Sequence, residues 1–330
     1  MQDGVARGRE NKALDVFKFL ACVLVVGSHM PQLFVWGTLD LYYRQWLFRF
    51  CVPFFFLSSG YFFQKTEKKE KILRRIALLF AAGYVLYLPY ILKTNPDSGL
   101  LSRLAWNAVF GYEHLWYISA TLEGMLVWYI AERLPLVSTL FRKLGLPAAV
   151  LLLFIGALTD EYYPLLDIGP VTALSKFLLN FGGPRNVVFF GFPMLMIGGA
   201  LARQEDKLSR IPTWALTAGL LICWGVSFVE CSVLLAKLGT EITNDITLFN
   251  FWPAIFLFLL SFRINVNISE AFAKTLRKMA EHVYILHWLA ADMIGRYLYL
   301  MGIPRWILTM LLCSAVSLLL IWLRKSKHKA

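Results

Sequence analysis

Long stretches without a charged side chain keep returning along this sequence, and nothing else constrains its fold so strongly. "ALLFAAGYVLYLPYIL" (77–92), "WALTAGLLICWGVSFV" (214–229) and "WILTMLLCSAVSLLLIWL" (306–323) are three of them. A helix rising about 1.5 Å per residue crosses about 30 Å of hydrocarbon in about 20 residues. Of 330 residues 58% are hydrophobic and only 16% charged, with a mean hydropathy of +0.59. A soluble domain of this length carries more charge and shorter apolar runs. The expected fold class is therefore all-α, a polytopic membrane helix bundle.

Apolar runs at about 14–34, 47–63, 76–92, 115–132, 146–159, 186–202, 212–231, 247–262, 280–299 and 306–323 predict about ten transmembrane helices. The 146–159 run is short for a span, and residues 160–185, rich in Tyr, Pro and Gly, read as a loop packed over the outer mouth. With the N-terminus inside, 23 of the 33 lysines and arginines fall in inner segments. Nine fall at or beyond the outer side, and Lys18 is the one remaining. That asymmetry favours an even number of spans and cytoplasmic termini at both ends. It also accounts for the net charge of +12 without a nucleic-acid partner. The chain reads as one integral membrane domain, 1–330, with a cytoplasmic tail at 1–13 and a basic tail at 324–330. The first apolar run is long and lacks a small-residue cleavage site, so it reads as a retained helix and not a signal peptide. Five cysteines, mostly within apolar runs, read as small buried hydrophobes.

The first run breaks the apolar rule. "DVFKFLACVLVVGSHM" (15–30) carries Asp15, Lys18 and His29. Eleven helical steps bring His29 back to within about 20° of Lys18, about 16 Å further along the axis. Asp15 and Cys22 share that face. A charge in hydrocarbon costs about 2.5–3.5 kcal/mol on insertion scales, so such a stripe faces a bundle interior or a wet cavity. Lys18 has two readings: snorkelling to inner headgroups with Asp15 as its partner, or lining the cavity. His29 has two as well: a hydrogen bond to another helix, or a general base.

Other polar groups stand inside apolar runs. Glu123 has no charged neighbour in "ISATLEGMLVW" and should find a partner or stay protonated, with a site or cavity role and a structural hydrogen bond as its two readings. Tyr284 and His287 lie one turn apart. His114 precedes "LWY" at the outer interface, as a helix-entry hydrogen bond or an acceptor contact. Arg185 and Asn186 open the sixth run, as an interface anchor or as ligands for a carboxylate or sugar hydroxyls. Asp292 and Glu230 are weaker candidates near span ends. The basic run Lys68, Lys69, Lys71, Arg74 and Arg75 either orients the chain or meets phosphate, and Glu67 and Glu70 read as solvated partners of the neighbouring lysines. No Gly-rich nucleotide loop, HExxH or GxSxG motif stands in a suitable setting, and no metal is expected.

Lys18, ten residues and His29 resemble the basic-x10-His motif of the acyltransferase-3 family of membrane proteins. "FRFCVPFFFLSSGYFF" (48–63), "EHLWYISA" (113–120), "GFPMLMIGGALA" (191–202) and "EHVYILHWL" (281–289) are similar to its segments, in order. Lys71-x-x-Arg74 resembles its Arg-x-x-Arg motif, with lysine in the first place. Within the family, "HLWYISA", "LTDEYY" (158–163) and "PRNVVFFGFPML" (184–195) look most like the membrane half of vancomycin-resistance type serine racemases. The racemase domain of that group has no counterpart in these 330 residues, so racemisation is not implied.

The resemblance implies a bacterial inner-membrane enzyme that moves an acyl group, most often acetyl, from cytoplasmic acyl-CoA to an acceptor hydroxyl or amine in the cell envelope. His29, Lys18 and Glu123 are then the expected catalytic residues. Lys68, Lys69, Lys71, Arg74 and Arg75 are expected to hold the donor. His114, Arg185, Asn186, Tyr284 and His287 are expected to bind the acceptor. Two other readings stand. One is a module transporting L-serine or another small molecule, and one is a scaffold for a partner protein such as a racemase or cell-wall enzyme.

Overall fold

The computed structural model describes residues 11–94, 99–180, 182–239 and 246–327. Among them every regular element is helical. The longer α-helices are α1 (Lys12–Ser28), α2 (Cys51–Lys65), α3 (Lys69–Ile91), α4 (Leu100–Phe110), α5 (Trp116–Arg133), α6 (Pro135–Ala157), α7 (Gly169–Leu179), α8 (Phe192–Arg203), α9 (Thr213–Leu238), α10 (Trp252–Ser261), α11 (Glu270–Leu298) and α12 (Gly302–Lys327). Each of the apolar runs lies on a helix. Five continuous helical stretches among the described residues are long and apolar enough to cross a bilayer: Gly37–Lys65, Lys69–Ile91, Pro135–Leu166, Thr213–Leu238 and Gly302–Ser326. The protein is a helical, multi-pass membrane protein.

Four expectations change. The first helix ends at Ser28 and not near 34, with His29 as its C-cap, its N–H donating to the carbonyls of Gly27 and Val26. The fifth run is not short, because its helix starts at Pro135 and carries Arg142 and Lys143. Proline at a first turn costs nothing, since that N–H has no helical acceptor. The segment 160–185 is largely helical, through a wide π-helical turn at Leu158–Tyr162, a short turn Tyr163–Leu166 and α7. Pro164 and Pro170, read as loop signals, open helices instead. Helix α4 was not expected at all.

The chain divides into two compact units, one of residues up to Asp40 with Leu257 onward, the other Leu41–Phe256. In the first unit α1 and α12 both pack on α11. Asn11 caps α1 by accepting from the Leu14 N–H at 2.9 Å, and its amide donates to the Ser261 carbonyl at 3.0 Å. Ser269 caps α11 through the Phe272 N–H. The buried positions of α11 include Ala273, Leu276, Ala280, Val283, His287, Ala290, Ala291 and Ile294. Steps of three and four make one stripe, and its alanines let neighbouring backbones approach.

In the second unit α2 and α8 pack most closely. A Cβ on Gly60 would overlap the Leu195 carbonyl, and one on Gly198 would overlap the Leu57 carbonyl. Each glycine thus admits the other helix's backbone. Gly199 in turn receives the ring of Trp128. Glu230 holds the connection after α9 in place. It accepts from the hydroxyls of Tyr162 and Thr247 and from the N–H groups of Leu248 and Phe249.

Candidate active site

Three contacts in the first unit follow one another along α1 and α11. Asp15 accepts from Arg277 at 2.7 Å on both carboxylate oxygens. Cys22 Sγ lies 3.5 Å from the Ala280 carbonyl. The rings of His29 and His287 stand 5.1 Å apart, centroid to centroid. Residue numbers rise together on both helices, so the pair runs parallel. The polar stripe expected on α1 therefore meets a matching stripe on α11. Asp15 was read as a partner for Lys18, but its carboxylate is engaged by Arg277. The guanidinium fork matches both oxygens at once.

His287 is fully buried. Its Nδ1 lies 2.7 Å from the Tyr284 carbonyl and 3.2 Å from that of Val283. A carbonyl only accepts, so Nδ1 carries the proton and Nε2 is the basic nitrogen of the neutral ring. The ring of Tyr284 lies 5.9 Å from that of His287. His29 is exposed at the end of α1. The structure thus brings His29, Tyr284 and His287 together. Sequence reasoning passed over Arg277, which served only as one positive charge among many. Its signal was its spacing, seven residues before Tyr284 and ten before His287 on one helix.

The basic run lies in the second unit, at the start of α3. Lys68, Lys71, Arg74 and Arg75 are exposed. Lys69 is only partly exposed. It pairs with Glu132 and sits 5.2 Å over the ring of Phe63 and 5.8 Å over that of Trp128. Glu70 accepts from Tyr129 and, at 2.7 Å, from Arg133. Its partners are therefore on α5, not the lysines beside it in sequence.

The second unit also holds a cavity of about 790 Å³, within the usual range for small-molecule sites. Glu123, Arg185 and Asn186 all line it. On α5, Trp116, Ser119 and Glu123 share one face at steps of three and four. Ser119 hydrogen bonds to Glu123 at 3.2 Å and to the Val109 carbonyl. The Arg185 guanidinium lies 5.1 Å over the Trp116 ring. Asn186 is committed to a helix start, accepting from the N–H groups of Val188 and Phe189 and donating to the Gly183 carbonyl. His114 is buried beside Tyr87, edge to face at 5.1 Å. Glu113, passed over in the sequence, lines the cavity with a left-handed φ of 46°. Among the described residues no group of three His, Cys, Asp or Glu side chains could hold a metal ion.

The sequence profile of the acyltransferase-3 family, described as an acyltransferase domain, matches residues 11–323. The chain belongs to the acyltransferase-3 family. Membership supports a transferase enzyme embedded in a membrane. Three curated relatives of this acyltransferase-3 protein are racemases of enterococci. An amino-acid racemase of Enterococcus faecalis is 26% identical over 223 residues, which is 62% of this chain and 30% of that protein. A serine/alanine racemase of Enterococcus gallinarum is 26% identical over 269 residues, 76% of this chain and 36% of that protein. A further amino-acid racemase of E. faecalis is 26% identical over 299 residues, 83% and 40% respectively. The chain thus spans less than half the length of each. No solved structure matches it.

Proposed function

We propose that this protein transfers an acyl group, acetyl by preference, from cytoplasmic acyl-CoA to a hydroxyl or amine of an extracytoplasmic or cell-envelope molecule. It does so as one membrane domain of ten spans in the bacterial inner membrane, with both termini cytoplasmic. The observation that carries the reading is the imidazole pair His29–His287, 5.1 Å apart, inside a family of acyltransferases.

Acyl-CoA supplies a thioester carbon open to attack. His29, exposed at the end of α1, takes the proton of the acceptor hydroxyl or amine. His287 has its Nδ1–H tied to the Tyr284 carbonyl and is a fixed wall beside that base. Lys18 assists from the face of α1 that carries His29, and Glu123 is assigned a catalytic role within the second unit. The residues that would hold the donor phosphates suit the task. Lys68, Lys71, Arg74 and Arg75 are exposed cations at a helix N-terminus, where backbone N–H groups and the helix dipole favour anions. Lys69 acts differently, by fixing that start to Glu132. His114, Arg185 and Asn186 are assigned to acceptor contacts within the second unit, and Tyr284 to contacts beside His29 in the first.

The test is acyl transfer by purified protein in nanodiscs, with release of free coenzyme A as the readout. Release that depends on an acceptor and disappears in His29→Ala supports the assignment. Normal turnover in that variant overturns it.

The second reading is transport of L-serine or a similar small molecule. It is favoured by the match to a serine/alanine racemase over 76% of this chain, and in this reading the chain would act beside a racemase or cell-wall enzyme. Uptake of labelled serine into proteoliposomes without acyl donor distinguishes it.

A further inference from the structure

Acyl transfer, which uses Glu123, leaves a second carboxylate of the second unit's cavity, Glu113, without a role. Glu113 and Glu123 both line that cavity, and neither forms an ion pair with a lysine or arginine among the described residues. Glu123 lies two helical turns beyond Trp116, about 10 Å along α5. It is half-buried there, with a single hydrogen bond from Ser119 at 3.2 Å. Its ionised form would be stabilised there by a positive partner. Glu113 keeps a φ of 46°, a backbone conformation that costs a side-chain-bearing residue energy and recurs at ligand sites.

The two arginines on the wall do not supply that partner. Arg103 donates to the carbonyls of Leu92 at 2.7 Å and Thr94 at 3.3 Å, and so fixes the end of α3. Arg185 lies over the Trp116 ring and forms no ion pair with either glutamate. Trp106, Phe110, Tyr112 and Phe177 add aromatic faces to a wall that also holds polar and aliphatic side chains. Carboxylates lacking a cation, set among aromatic faces, are the chemistry that holds an ammonium group.

We infer that this cavity binds a small organic amine in its ammonium form. Glu123 and Glu113 supply the negative charge and the aromatic faces supply the cation–π surface. A volume of about 790 Å³ admits an amino acid or an amino sugar. The inference lies wholly within the second unit and does not depend on acyl transfer.

The experiment is calorimetric titration of the purified full chain in nanodiscs, without acyl donor, using matched probes. L-serine is compared with glycerate, glucosamine with glucose, and ethanolamine with ethylene glycol. At least one amine binds about tenfold or more tightly than its partner lacking nitrogen, the usual worth of a charge-assisted bond. The pair with the largest ratio names the source of the amine. Glu123→Gln and Glu113→Gln, each checked for an unchanged elution volume and melting temperature, both reduce that ratio. Equal binding within every pair, no binding at all, or a ratio that survives both substitutions overturns the proposal.

Discussion

Asp15 and Arg277 form a bidentate ion pair across 262 positions of sequence, with Nε and Nη2 of the arginine each 2.7 Å from a carboxylate oxygen. The Asp15 side chain is 3% exposed and that of Arg277 36%. Removing one partner of a buried pair costs about 3–5 kcal/mol, and the half-open arginine lowers this to about 2–3 kcal/mol. Arg277→Ala and Asp15→Asn are each expected to lower the melting temperature in detergent. Arg277→Lys does not restore it, because an ammonium cannot span both oxygens. The double variant loses less than the sum of the two, which a thermal double-mutant cycle measures.

The imidazole pair separates chemistry from packing. His29→Ala lowers acyl transfer by about 10²–10⁴-fold, the usual contribution of a general base, with little change in stability, since the ring is exposed. His287→Ala removes a fully buried ring and lowers both activity and melting temperature. His287→Asn keeps a donor for the Tyr284 carbonyl and recovers the stability but not the rate. Single-turnover rates and melting curves on the same preparations tell these apart.

The basic run divides by exposure. Lys71→Ala with Arg74→Ala weakens acyl-CoA binding, and the loss shrinks as salt is raised because exposed charges are screened. Lys69→Ala acts on stability instead, since Lys69 joins Glu132 and two aromatic rings. Equal effects of both changes on the dissociation constant, with melting temperatures unaltered, contradict this division.

At the α2–α8 crossing, Gly198→Leu forces the backbones apart. Overpacking costs about 1–3 kcal/mol, and the closeness of Gly198 to the Leu57 carbonyl leaves no side chain to give way. A larger loss than for a leucine at the open Gly225, where an added Cβ meets nothing, is the expected thermal-shift result.

Glu230→Ala strips acceptors from the Thr247 hydroxyl and the N–H groups of Leu248 and Phe249. Thr247 is buried, and orphaning it costs about 1–3 kcal/mol, whereas water can reach the exposed Phe249. Faster amide exchange at Leu248 and Phe249 than at the middle of α9 is the expected signature.

The sequence made the apolar helices and the polar face of α1 legible because both are local and periodic. An eleven-residue spacing on one helix is enough to align Lys18 with His29. The partner of that face was not legible, since nothing local links Asp15 to Arg277. Glycines 60 and 198 were read only as parts of familiar segments, for a backbone approach leaves no polar signal. The prolines at 164 and 170 misled, because the same residue that ends a helix also begins one. Glu123 was found as an isolated carboxylate. Its cavity was not, since that wall comes from α4, α5 and the turn before α8.

The first unit is made from the two ends of the chain, and this fixes an order of events during synthesis. The helix bearing Asp15 leaves the ribosome 262 residues before Arg277 exists. At ordinary elongation rates that interval is on the order of tens of seconds. During it the carboxylate has only water or lipid headgroups for company. Biogenesis must therefore shelter the Asp15 helix until Arg277 is made, and a message cut short between the two leaves an orphaned acid in the bilayer.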